Sequence, residues 1–316
     1  MFSYTMRRLL IAVPVLIGVT FLNFFIIYLA PGDPADLYAN PDLSEADKLQ
    51  RREALGLNDP LLLQYVKWLG QLLTGNLGIS FNSFQPVSQM LAERLGATLL
   101  LMGTALIIAY LIAIPLGIIS AIRQYSWLDY VVSTGSFLGV SVPGFFLGLG
   151  VIYLFGVTLG VLPTGGMNTI GREGDFLDTL KHLVLPAFTL GASIAGGMVR
   201  YVRSSVIEVL NQDYLRTARA KGLPEWKVIN KHTLKNALIP IITVAGMDIP
   251  MLIGGAVVTE TVFQWSGMGQ LTIQAILSRD YPVLMGINLV AAVAVLISNL
   301  WADLMYAFVD PRIKYN

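Results

Sequence analysis

The sequence predicts an all-α fold: a polytopic membrane helical bundle of about six transmembrane helices, with both termini on the cytoplasmic side. Three observations lead there. Hydrophobic residues make up 55% of the 316 and charged residues 13%, where soluble globular chains carry about 25% charged. Long apolar runs recur, each near the roughly 20 residues that cross a bilayer. The 21 lysines and arginines are also shared unevenly between the connecting segments. Arg7, Arg8, Arg123, the cluster from Arg200 to Lys235, Arg312 and Lys314 fall on one side, which is then the cytoplasmic one.

Taken in order, Arg7 and Arg8 precede an apolar run from Leu9 to Ala30. This run is too long for a signal-peptide core and reads as a retained span. Pro31-Gly32-Asp33-Pro34 stops it. Residues 35–96 are polar to mixed, with one surface helix expected from Ser44 to Leu55. A second helix, Leu61 to Leu73, is apolar on one side only and should lie against the membrane surface or the bundle. Ala97 to Ile122 is the second span. Tyr130 to Leu162 is the third, interrupted by Ser141, Pro143 and glycines 135, 139, 144, 148, 150, 156 and 160. Such glycine-rich helices line interfaces or cavities. A loop opens at Pro163-Thr164-Gly165-Gly166. Leu183 to Val199 is the fourth span, Ile241 to Phe263 the fifth, Gln264 to Pro282 a loop, and Val283 to Phe308 the sixth. The division expected is 1–95, an amino-terminal helix plus external segment, and 96–316, a transmembrane core.

The stretch from Asp213 to Pro240 differs from every other connection. It is long, basic and regular. Asp213 can cap a short helix, Tyr214 to Lys221 hold good helix formers, and Gly222 suits the left-handed residue that ends one. Pro224 can restart a helix at its first turn. Glu225 to Ala237 then reads as a second helix with Trp226, Ile229, Thr233 and Ala237 along one face. A folded helix–elbow–helix outside the lipid fits a protein groove better than a layer of head groups.

Composition excludes several classes. A net charge of +1 gives no bulk attraction for nucleic acid, and zero cysteines exclude disulfides and thiolate chemistry. His182 and His232 lie fifty positions apart, and a metal centre built from them would need carboxylates that the apolar segments barely offer. No Ser–His–Asp set, paired catalytic carboxylates or phosphate-cradling loop appears, so the chain is expected to be non-catalytic. Ionisable groups within the spans are few: Asp248, Glu260 near an end, and Asp303 close to the inner interface. For Asp248 two roles stay open, lining a pathway or hydrogen bonding to a neighbouring helix. Asn23, Asn288 and Asn299 suit contacts between helices.

Asp213-Tyr214-Leu215-Arg216-Thr217-Ala218-Arg219-Ala220-Lys221-Gly222 resembles the coupling loop of ABC importer permeases, and among them the oligopeptide and dipeptide branch. Other pieces agree in order and spacing: Ala30-Pro31-Gly32-Asp33-Pro34, Gly56-Leu57-Asn58-Asp59-Pro60, Tyr65-Val66-Lys67-Trp68-Leu69 and Leu162-Pro163-Thr164-Gly165-Gly166. Glu260-Thr261-Val262-Phe263 with Gly267-Met268-Gly269, Arg279-Asp280-Tyr281-Pro282 and Val309-Asp310-Pro311-Arg312 follow. Arg216 stands where the general importer loop has its leading glutamate, and the distance from Gly222 to Pro240 is longer than in sugar importers. Both departures belong to the peptide branch.

The resemblance implies a type I ABC importer permease fold in a bacterial inner membrane, with 213–240 as the coupling loop. It implies a second, homologous permease subunit, two ABC ATPase subunits that bind the ATP-Mg, and an extracytoplasmic solute-binding protein that delivers a peptide. This chain itself would hold no cofactor. Tyr214, Arg216, Ala218, Arg219, Lys221 and Gly222 become the expected ATPase-coupling residues, with Ala218 and Gly222 in close contact. Asp248, Asn288 and Ser141 are the expected path residues, being polar positions within apolar spans. Nickel or glutathione importer permeases share the framework. An ion-coupled secondary transporter would need inverted repeats and several buried carboxylates, which the sequence lacks.

Overall fold

The protein is described by a computed structural model covering residues 2–29, 49–50, 52–53, 56–248 and 256–309. The expected helix at Ser44–Leu55 lies mostly outside the described residues. Helix α1 spans Phe2–Leu29, α2 Leu61–Leu73, α3 Val87–Ile122, α4 Trp127–Ser141 and α5 Gly144–Val151, which widens into a π turn over Ile152–Thr158. Helix α6 spans Phe176–Leu210 and α7 Asp213–Ala220. Glu225–Lys227, a π-wound Val228–Thr233 and Leu234–Met247 follow one another as α8. Then come α9 Val257–Val262, α10 Met268–Leu277 and α11 Tyr281–Val309.

Among the described residues, four helices are long and apolar enough to cross a bilayer: Met6–Leu29, Val87–Ile122, Phe176–Leu210 and Tyr281–Leu300. The pair Trp127–Ser141 and Gly144–Thr158 would make a fifth, bent by 101° at its break. Pro143 explains the break, because it has no N–H to continue the ladder and restricts Val142 to the extended conformation that it adopts. The expected third span is therefore two arms rather than one rod. The expected fifth span also differs. Helix α8 ends at Met247, residues 249–255 lie outside the described set, and α9 resumes at Val257. The loop expected from Gln264 to Pro282 contains α10, whose Met268, Leu271 and Ala275 pack against Val87, Leu91 and Val283. The division expected near residue 95 falls inside α3.

The bundle is organised around α3 and α6, which run together over most of their length. Small residues permit that closeness. A Cβ added at Gly191 of α6 would lie 2.9 Å from the Ala105 carbonyl oxygen of α3, and one at Gly196 would lie 2.8 Å from the Ser136 carbonyl oxygen of α4. One apolar cluster joins Ala113 and Ala121 of α3, Val199, Val202 and Val206 of α6, and Ala237 and Ile241 of α8. Helix α1 lies outside this core and packs on α11. Helix α2 rests against α1 rather than standing alone at the membrane surface. The Tyr65 hydroxyl donates to the Ile17 carbonyl at 3.2 Å and sits 3.1 Å from the Thr20 hydroxyl, with Phe24 buried beside it.

Two polar knots hold the turns at the far end of the bundle from α7. Asp280, just before α11, accepts from the Ser80 hydroxyl and from the backbone N–H of Phe81 at 3.1 Å. Asp178, in the first turn of α6, accepts from the backbone N–H and hydroxyl of Thr169 at 2.6 and 2.8 Å. A carboxylate that collects several donors holds a loop against a helix end without a cation.

Candidate coupling element and translocation path

Helix α7 is a knob hanging from the end of α6. Its first residue is Asp213, but Asp213 is not the cap: Gln212 precedes it in extended conformation and no side chain caps the helix. The Asp213 carboxylate is almost fully exposed, 3.6 Å from Arg216, and favours the positive amino-terminal end of the helix dipole. The other end closes as expected. Gly222 has φ +77°, its N–H donates to the Arg219 carbonyl at 2.9 Å, and the Leu223 N–H donates to the Ala218 carbonyl at 3.3 Å. That double return is a Schellman ending, which needs a left-handed residue at this place. Leu223 supplies the apolar contact such endings carry, packing on Leu215, Ala218 and Val228.

This packing sorts the predicted coupling residues into two faces. Leu215 and Ala218 point inward and are buried by the chain itself. Ala218 therefore helps to anchor the knob to its own chain. Tyr214, Arg216, Arg219, Lys221 and Gly222 are exposed, and Thr217, Ala220 and Pro224–Lys227 extend the same surface. Arg219 is also spoken for: Nε donates to Glu225 Oε2 at 3.2 Å and Nη2 to Oε1 at 2.8 Å. This fork braces α7 against the start of α8 and holds the Glu225 carboxyl below its ordinary range. Asn236 Nδ2 donates to the Tyr214 hydroxyl at 3.0 Å, a second brace.

The face expected along α8 is shifted. Trp226 is exposed, with the Lys227 ammonium 5.6 Å from its ring centre. The buried positions are Val228, Thr233, Ala237 and Ile241. The π turn explains the change, since it advances the inward face by five residues from Val228 to Thr233, whose hydroxyl donates to the Val228 carbonyl at 3.1 Å.

The path candidates sit on three different helices. Ser141 is exposed at the end of α4, beside the Val142–Pro143 break. Asn288 is half-buried in α11. Asp248 follows the last residue of α8 and accepts a hydrogen bond from the Tyr110 hydroxyl of α3 at 2.6 Å. Of the two roles open for Asp248, the contact with a neighbouring helix is present. Among the described residues no hydrogen bond links the three candidates to one another.

The sequence marks Glu260 as an ionisable group near the end of a span but shows no partner for it, and it does not mark Asp129 or Arg203. Glu260 is wholly buried. It accepts from the Thr98 hydroxyl at 2.9 Å and from the Gln270 N–H at 3.1 Å, tying α9, α10 and α3 together. Asp129 and Arg203 form an ion pair between α4 and α6. The partners are 162 and 74 residues apart, so no local spacing marks them.

Comparison with known proteins places this geometry. The family model described as binding-protein-dependent transport system inner membrane component matches residues 113–315, and the model for its N-terminal part matches residues 1–102. The oligopeptide transport system permease protein AppB of Bacillus subtilis is 48% identical over 316 residues, covering all of both chains. The dipeptide transport system permease protein DppB of Alkalihalophilus pseudofirmus is 42% identical over 334 residues, again covering all of both. The glutathione transport system permease protein GsiC of Salmonella choleraesuis is 40% identical over 315 residues, with the same full coverage. Among solved structures, the MetNI methionine ABC transporter in an inward-facing conformation aligns with a TM-score of 0.57 at 19% identity, over 71% of this chain and 97% of that one.

The fold and the knob thus define a multi-pass inner-membrane permease of the ABC importer class, with the type I permease fold. The chain belongs to the family of binding-protein-dependent transport system inner membrane components.

Proposed function

We propose that this chain is one of two permease subunits that together form the translocation path of an ATP-driven importer for dipeptides and oligopeptides. A solute-binding protein delivers the peptide from outside, and two ATPase subunits bind below. The reading rests foremost on identity along the full length with a relative named for oligopeptide transport. The exposed face of α7 is the surface offered to an ATPase subunit. Tyr214, Arg216, Arg219, Lys221 and Gly222 form it, and Leu215 and Ala218 fix it to the bundle. The nucleotide and its magnesium belong to the ATPase subunits, which supply the hydrolysis this chain does not perform.

The physical logic is that of a two-state element biased by a ligand. Closure of the ATPases on nucleotide presses on α7, and α7 is short, closed by Gly222 and braced to α8 through Tyr214 and Arg219, so it transmits the push rather than absorbing it. Ser141, Asp248 and Asn288 are proposed to line the path. A path with few polar groups is weakly selective, which suits substrates that vary in side chain and leaves selection to the binding protein.

Glutathione is the second reading, favoured by the full-length relative named for its transport. Uptake of labelled dipeptides, longer peptides and glutathione in a strain lacking this chain separates the two. Peptide uptake restored by the chain supports the first. Restoration of glutathione uptake alone replaces it with the second.

A further inference from the structure

Two turns before the end of α6, one ion pair draws three elements together. Arg203 Nε donates to Asp129 Oδ1 at 2.8 Å and Nη2 donates to Oδ2 at 2.9 Å. Nε also donates to the Ser120 hydroxyl oxygen at 3.1 Å. The Ser120 hydroxyl in turn donates to Asp129 Oδ1, and the Ser133 hydroxyl reaches the same oxygen at 3.3 Å. The Tyr125 backbone N–H donates to Oδ2 at 2.9 Å. Ser120 lies in the last turn of α3, Tyr125 in the tight turn that follows, and Asp129 in the first turn of α4. The Asp129 side chain is 6% exposed and that of Arg203 28%.

Two features set this pair apart from a simple staple. Every acceptor site on the carboxylate is used, by the fork and by the turn, so the α3–α4 corner has one position relative to α6. Around it, Ala121, Val202 and Val206 belong to an apolar cluster, and apolar contacts tolerate sliding in a way that a planar two-point fork does not. A buried ion pair is also seldom more stabilising than apolar residues of equal volume. What the fork adds at this site is geometry. The location matters too: Arg203 stands on the helix from which α7 hangs, roughly 10 Å along the axis from its end.

We propose that Asp129 and Arg203 are positioning residues for transport. They make the α3–α4 corner and the end of α6 a single rigid arm. A push received at α7 then reaches α4, and through it the bent Val142–Pro143 break beside Ser141, without being lost as bending of α6. The proposal rests on the reading of α7 as the ATPase contact.

The test uses the complete transporter in proteoliposomes, with uptake of a labelled peptide and ATP hydrolysis measured on the same vesicles. In Asp129→Asn and Arg203→Met the ATPase subunits still co-purify and hydrolysis persists, but peptide moved per ATP falls about tenfold, within the usual range of coupling between sites. Arg203→Lys keeps the charge without the fork and falls in between. Ser120→Ala removes one supporting bond and serves if the stronger variants do not accumulate. An unchanged peptide-to-ATP ratio in Arg203→Met, or in both Arg203→Lys and Ser120→Ala, overturns the proposal. Gly222→Val, measured alongside, keeps the two readings apart. Normal coupling in Gly222→Val together with lost coupling in the clasp variants strikes the α7 assignment and not the clasp.

Discussion

At the scale of single residues, geometry assigns roles that composition leaves open. Gly222 was legible in the sequence because a glycine after a short helix has one common use, and its φ of +77° is that use. No atom lies within 4 Å of where its Cβ would be, so a substitution there acts through the backbone and not through crowding. Gly222→Val is expected to cost about 1–2 kcal/mol locally and to lower peptide uptake while the protein still accumulates. Normal uptake in that variant would remove the knob from the coupling mechanism. Glu260 stands out in the sequence as an ionisable group near the end of a span, but its role was not legible, because its partner Thr98 is brought to it only by the fold. Glu260→Ala leaves the Thr98 hydroxyl and the Gln270 N–H without their acceptor, at about 1–3 kcal/mol each. A clear drop in the unfolding temperature of the purified transporter is the expected outcome, and an unchanged one would mean that the knot adds nothing. Asp248→Ala frees the Tyr110 hydroxyl. If Asp248 also lines the path, the variant assembles normally and transports at an altered rate, whereas an unaltered rate leaves it only its helix contact.

At the scale of elements, the apolar runs announced the helices and the breakers announced their ends, but tertiary contacts set the lengths. Helices α3 and α6 both run well past the apolar stretches that reveal them, because their polar ends are packed by other parts of the chain. Helix α10 was read as loop because its 10 residues are short and sit among turn formers, and only packing against α3 and α11 makes it stable. Elements also carry the pH response of the knob. The Glu225 carboxyl is held below its ordinary range by the Arg219 fork. The contribution of the fork is therefore complete above the ordinary glutamate range and is lost as pH falls through the lowered value. Both side chains are partly exposed, so the pair is worth roughly 0.2–1 kcal/mol. Corrected for the intrinsic rate, which itself falls on acidification, hydrogen exchange of the α7 amides should show an excess in acid over neutral pH. Glu225→Gln should abolish that excess, and an equal excess in the variant would locate the acid response elsewhere.

At the scale of the whole molecule, the sequence was sufficient for fold class and family, since both depend on patterns spread along the full chain. It could not show how many elements each polar knot joins, because that depends on residues far apart in sequence. The face of α7 proposed to meet an ATPase subunit stands at one end of α6, and the turns clasped by Asp178 and Asp280 at the other. Reconstituted alone, it should give no ATP-dependent uptake; adding the second permease, the ATPase subunits and the binding protein should restore it. ATP-driven uptake by the chain on its own would contradict the division of labour proposed above. The wide winding at Val228–Thr233 has a consequence of its own. It absorbs one residue more than an α-helical turn holds, so that Val228 and Thr233, five apart, share the inward face. Deleting a single residue there should restore the ordinary four-residue spacing and leave Ala237 and Ile241 facing inward, whereas winding the same six residues as an α-helix would turn them about 100° away. The knob and the helix that follows it thus keep one inward face across one surplus amino acid.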